Sequence, residues 1–225
     1  MANIETVLLE LKALSKPEGL QRMQKFGVNT EKALGVNIPS LRNLAKKYKK
    51  NHSLALELWA SEYHEARILA ALVDDFTKVD PQQMDDWVKD FNSWDLCDQC
   101  CGNLFDKTTY AFEKACQWTQ HEKEFIKRAG FVMMAELAVH DKQASNDRFE
   151  SFFPLIVREA KDERNFVKKA VNWALRQIGK RNMELNQKAI SIAREIKLQQ
   201  FKSSKWIAAD ALRELTSEKI LSSLK

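Results

Sequence analysis

Apolar residues recur at intervals of three and four along almost the whole chain, a spacing that lines one stripe of a helix. Ile4, Val7, Leu8 and Leu11 form the first stripe, and Leu20 and Met23, with Phe26, form the inward side of a segment opened by Pro17. Proline suits a first helical turn because its missing N–H has no helical acceptor there. Leu41, Leu44, Ala45 and Tyr48 line a basic segment from Ser40 to Lys50. Strands joined by tight turns need glycine and proline, and 225 residues hold only six and four. The pattern predicts an all-α fold. Further helices are expected over 53–61, 63–79, 93–106, 108–120, 122–140, 146–161, 163–181, 184–199 and 203–222, with another start at Asp80-Pro81. Gly27-Val28-Asn29 and Gly35-Val36-Asn37 mark a loop, and no junction is long enough for a linker, so 1–225 reads as one domain.

The helices repeat. Phe125-Ile126-Lys127-Arg128-Ala129 returns 41 residues later as Phe166-Val167-Lys168-Lys169-Ala170, and the segments at Glu65 to Leu69 and Lys205 to Ala209 are degenerate copies. A period near 40 with two helices per unit is the spacing of HEAT-like and armadillo-type solenoids. Stacked units align equivalent positions, and here those are Arg67, Arg128 and Lys169, which predicts a basic concave face. Solvated charges on ordinary amphipathic helices are the alternative.

The formal charge is only +5, which permits an anionic partner without requiring one, but it is unevenly placed. Residues 21–50 hold Arg22, Lys25, Lys32, Arg42, Lys46, Lys47, Lys49 and Lys50 against Glu31 alone; residues 164–181 hold six cations and no acid. Cys97 and Cys100 have the C-x-x-C spacing, but Cys101, Cys116 and His121 supply no second pair of zinc ligands and no strand precedes the motif. Buried free thiols on a helix are expected, with no metal. Met1-Ala2-Asn3-Ile4-Glu5 has no basic start, and no apolar run approaches membrane-spanning length, so a cytoplasmic chain is expected.

Two clusters stand out chemically. Trp94 and Asp98 lie four apart and share a helical face, where an indole and a carboxylate together suit a cationic group. Core packing and an ordinary ion pair are the competing explanation. Lys169, Trp173 and Arg176 share one face of a helix whose other side is Val167, Ala170, Val171, Ala174, Leu175 and Ile178. A tryptophan on a basic face either meets a ligand or covers a neighbouring helix.

With these segments the chain resembles the AlkD-type DNA alkylation repair enzymes, built from HEAT-like repeats. The likeness runs from about residue 20 to 215 and rests on three ordered motifs. They are Leu34 to Arg42 (Gly-x-x-x-Pro-x-x-Arg), Ser93 to Asp98 (Trp-Asp-x-x-Asp) and Ala170 to Arg176 (Ala-x-x-Trp-x-Leu-Arg). The resemblance implies a monofunctional glycosylase that hydrolyses the N-glycosidic bond of N3- or N7-alkylpurines in double-stranded DNA, without cofactor or metal. It implies Asp98 as the catalytic carboxylate, with Trp94 and Trp173 as cleft walls. Arg128, Lys127, Lys168, Lys169, Arg176, Arg42, Lys46 and Phe26 would meet the DNA. A monomer is expected, since no dimerisation motif is present. Two rivals stay open: a non-catalytic protein that recognises distorted or branched DNA, and a protein-interaction scaffold.

Overall fold

The computed structural model describes residues 3–224; Met1, Ala2 and Lys225, which the leader and domain expectations included, lie outside it. Every regular element among the described residues is helical. The described residues group into two compact units, one up to Thr108 and the other from Thr109 on.

The first unit holds α1 (Ile4–Ala13), α2 (Pro17–Lys25), α3 (Ile38–Ala45), α4 (His52–Ala60), α5 (His64–Val73), α6 (Pro81–Lys89) and α7 (Trp94–Asn103), then a 3-10 turn at Phe105–Lys107. Its core is Leu11, Leu41, Leu54, Leu58, Ile68, Leu69, Met84, Leu96 and Phe105. Trp59 and Trp87 stack with centroids 3.9 Å apart, and the Trp59 indole N–H donates to Asp90 at 2.9 Å, so the rings bury their area while the polar tip keeps a partner. Asp80 caps α6 through the Gln83 N–H, as the Asp80-Pro81 pair predicts. One expectation fails here: the helix expected over 63–79 stops at Val73, because Asp74 turns extended and its carboxylate accepts from the Asp75 N–H. Ser93 precedes α7, and its side chain makes no capping bond.

The second unit holds α8 (Ala111–Trp118), α9 (Glu124–His140), α10 (Asn146–Glu150), α11 (Phe153–Glu159), α12 (Asn165–Gly179), α13 (Met183–Lys197), α14 (Lys202–Leu215) and α15 (Glu218–Ser223). Sequence spacing returns here as contact. The repeat mates Phe125 and Phe166 meet with ring centroids 5.4 Å apart. A second ladder joins residues 38 apart: Arg128 to the Phe166 carbonyl, Asn146 to Glu184, Glu150 to Lys188, Asn172 to Asp210 and Arg176 to Glu214. The rungs between α12 and α14 rise together, so these helices run parallel. α9 and α12 are parallel too, since Glu124 accepts from the Phe166 N–H and Arg181 donates to the Ala138 carbonyl. Side chains of one repeat thus meet the helix ends of the next, Glu124 taking the Phe166 N–H at the start of α12 and Arg181 the Ala138 carbonyl near the end of α9. The single helices expected over 146–161 and 203–222 are each broken, at Ser151-Phe152 and Thr216-Ser217.

Candidate nucleic-acid interface

α7 carries the first cluster. Leu96, Cys97, Cys100 and Cys101 form its inner side, and all four are buried. Trp94, Asp95, Asp98 and Gln99 are left on the half-exposed arc. Burial pushes the Cys100 and Cys101 thiols well up, so they stay neutral and behave as small apolar groups. Trp94 and Asp98 therefore do share an accessible face. The Trp94 Nε1–H donates to the Phe26 carbonyl at 2.9 Å, which fixes the indole against the residue that ends α2. Phe26 itself offers its ring to solvent, 63% exposed.

The loop from Phe26 to Asn37 is anchored by a residue that the sequence did not single out for this task. Glu65, 1% exposed on α5, accepts the backbone N–H groups of Gly35 at 2.7 Å, Leu34 at 2.8 Å and Val36 at 3.2 Å. A buried carboxylate is tolerable because three charge-assisted bonds replace its water. Gly35 is required by the same geometry: its φ is +75°, and a Cβ there would lie 2.2 Å from the Lys16 carbonyl oxygen. Asn37 then caps α3 through the Ser40 N–H. The Gly-x-x-x-Pro segment thus serves to turn the chain over Glu65 and restart it as a helix.

Asp95 faces α5. Its Oδ2 lies 2.8 Å from His64 Nε2, and both groups are largely shielded. Burial pushes the Asp95 carboxyl up, but the hydrogen bond and charge of His64 outweigh this and hold it below the usual carboxylate range. Beside this pair is a polar cavity of about 190 Å³ lined by Asn29, Lys32, Glu62, His64, Arg67 and Leu96. Arg67, expected on a free basic stripe, is instead paired with Asp90 at 3.0 Å and stacked over Trp59. Arg42 and Lys46 on α3 are exposed.

In the second unit, α12 buries Val167, Ala170, Val171, Ala174, Leu175 and Ile178, the set its periodicity marks as inward. Trp173, Lys168 and Arg176 are half-buried and Lys169 is exposed. Arg176 pairs with Glu214 and lies 3.6 Å from Asp210, while Lys180 adds a second bond to Glu214 at 2.7 Å. That face is therefore partly neutralised by α14. Lys127 departs furthest from its expected role as a DNA contact. It is 9% exposed, and its ammonium sits 2.5 Å from Glu159 and 3.8 Å from Asp162. Arg128 is 5% exposed and donates to the Phe166 carbonyl at 2.7 Å. Both lie in a helix that is apolar nearly all round, where a cation must find a partner.

No helix among the described residues is long and apolar enough to cross a membrane. The chain is 24% identical over 200 residues to an uncharacterised protein, Lin0241, of Listeria innocua serovar 6a, with 87% of each chain covered. Its fold matches, at a TM-score of 0.80 and 22% identity, over 100% of this chain and 97% of the other, a solved structure from "a new family of proteins related to the HEAT-like repeat DNA glycosylases with affinity for branched DNA structures". The fold is thus of the HEAT-like repeat type. The family described as DNA alkylation repair enzyme matches residues 7–215, so the chain belongs to the DNA alkylation repair enzyme family.

Proposed function

We propose that the protein is a DNA-binding repair enzyme that excises positively charged N3- or N7-alkylpurines by hydrolysing the N-glycosidic bond. The observation that carries this reading is the face of α7. Trp94 is locked by the Phe26 carbonyl, and Asp98 stands one turn further on the same half-exposed arc, over a base of three buried cysteines. An alkylated purine is already cationic, so it leaves as a neutral base and needs no acid to protonate it. What the chemistry needs is negative charge beside the sugar as positive charge grows there, and an indole to bear on the deoxyribose. Asp98 supplies the first and Trp94 the second. Water adds at the sugar carbon as the bond to the base breaks and its electron pair leaves with the purine; the proton lost from water passes to solvent or to Asp98.

Exposed Arg42, Lys46 and Lys169, with half-buried Lys168, supply phosphate contacts, and affinity falls steeply with salt. Trp173, half-buried on α12, is the aromatic that the second unit offers to DNA. Arg128 and Arg176, whose guanidinium groups are held by Phe166 and by Glu214, act by positioning α12 and α14. Lys127 has no place among the phosphate contacts. The fold's likeness to a protein with reported affinity for branched DNA supports a second reading, shape recognition of branched DNA without chemistry. Methylated DNA separates the two: chromatography finds free 7-methylguanine or 3-methyladenine if the first holds and none if the second does.

A further inference from the structure

The ladder between α12 and α14 changes character at one end. Asn172 donates to Asp210 and Arg176 meets Glu214, so two rungs place a donor against a carboxylate. The rung at the amino-terminal ends has no carboxylate: Lys168 Nζ lies 5.3 Å from the centroid of the Trp206 ring. α14 buries Ser203, Ser204, Ile207 and Ala208, yet leaves Trp206 41% exposed on the other side. Lys202 stands one turn before Trp206 on the same face, Lys205 precedes Trp206 in the chain and Lys169 follows Lys168; all three are exposed. Among the described residues, none of these four lysines has an ion-pair partner. The nearby acids are engaged elsewhere, Glu163 by the backbone N–H and hydroxyl of Ser203 and Asp210 by Asn172, Arg176 and Arg213. The amino termini of two parallel helices add partial positive charge at the same edge.

An indole face set among cations suits a polyanion that also presents a flat π surface. Paired duplex DNA hides its base faces in the stack; an unpaired nucleotide does not. We propose that Trp206, with Lys168, Lys169, Lys202 and Lys205, forms a stacking site for an unpaired base in single-stranded DNA flanking the bound duplex. The proposal rests on the DNA-binding reading above but not on base excision. It gives the protein a second point of hold, selective for duplexes that carry a tail or a branch.

The test uses the full chain, as wild type and as Trp206→Ala, Trp206→Phe and Lys168→Gln. Three probes are compared: a blunt duplex, the same duplex with a thymidine tail of about five nucleotides, and vesicles of phosphatidylserine and phosphatidylcholine. The tail is expected to tighten wild-type binding at least about fivefold, the low end of what one stacked base supplies. Trp206→Ala abolishes that gain, Trp206→Phe keeps most of it and Lys168→Gln reduces it, while blunt-duplex affinity stays within about twofold for both Trp206 variants. A preserved circular-dichroism melt shows that the variants fold. The proposal is overturned if Trp206→Ala retains the full gain. It is overturned alone if the wild type binds blunt and tailed duplex equally, and together with the DNA reading if neither duplex binds. Loss of vesicle binding in Trp206→Ala with tail preference intact assigns the patch to lipid instead.

Discussion

Replacing Lys127 with methionine separates a structural lysine from a DNA-binding one. The ammonium is almost wholly enclosed and lies between Glu159 at 2.5 Å and Asp162 at 3.8 Å. Removing one member of a buried ion pair costs about 3–5 kcal/mol when its partner is stranded. Neither acid is stranded completely. Glu159 keeps Arg158 Nε at 2.7 Å, and Asp162 keeps Arg164 at 2.5 Å. Methionine also refills most of the space left by the lysine stem. The expected loss is therefore nearer about 2–3 kcal/mol, a fall in Tm of roughly 4–12 °C for a chain of this length. The second readout is the dependence of DNA affinity on salt. A lysine bound to phosphate contributes about 0.9 to the slope of log affinity against log salt. Lys127→Met is expected to leave that slope unchanged while lowering Tm. A slope reduced by about one, with stability within about 0.5 kcal/mol of wild type, would refute the assignment and return Lys127 to the interface.

Three further outcomes follow from the same geometry. Glu65→Ala strands the N–H groups of Gly35 and Val36 away from water, which costs at least about 3 kcal/mol in urea unfolding, and Glu65→Gln, keeping one acceptor, costs roughly half as much. A loss under about 1 kcal/mol for the alanine variant would show that the loop does not depend on this carboxylate. Asp95 has its carboxyl held below the ordinary range by His64, so its contribution to stability is complete above the unfolded value near 3.8 and disappears as pH falls through the lower folded value. Acid titration should show this loss in wild type and not in Asp95→Asn; identical acid limbs count against the pair. Lys169→Gln, at an exposed position, should weaken DNA binding and lower the salt slope by about 0.9, and an unchanged slope removes Lys169 from the interface.

Much of this was legible where periodicity is strong. The inward set of α12 and the burial of Cys97, Cys100 and Cys101 follow directly from spacing of three and four, because a helix fixes which side chains share a face. The 41-residue self-similarity makes Phe125 and Phe166 equivalent positions, and their rings meet in the structure. The failures have local physical causes. Asp74 and Asp75 ended α5 early by accepting the backbone N–H groups of Asp75 and Thr77, which apolar spacing does not register. Lys127 and Arg128 carried the charge of an interface but sit in a helix whose apolar residues leave no polar side, and that all-round pattern was the available warning. Glu65 gave no signal, since its three acceptor bonds reach backbone about 30 residues earlier and backbone donors leave no trace in side-chain pattern. Trp94 and Asp98 were readable as sharing a face; the Phe26 carbonyl that fixes the indole was not.

The most direct measurement is the single-turnover release of 7-methylguanine or 3-methyladenine from methylated duplex DNA by wild type and by Asp98→Asn, with DNA affinity measured alongside. If the carboxylate on α7 stabilises charge on the sugar, wild type frees the base, and the asparagine variant binds DNA equally well and frees none above background. Release by the variant at the wild-type rate would contradict the account, as would wild-type protein that binds the same DNA and leaves every alkylated base in place.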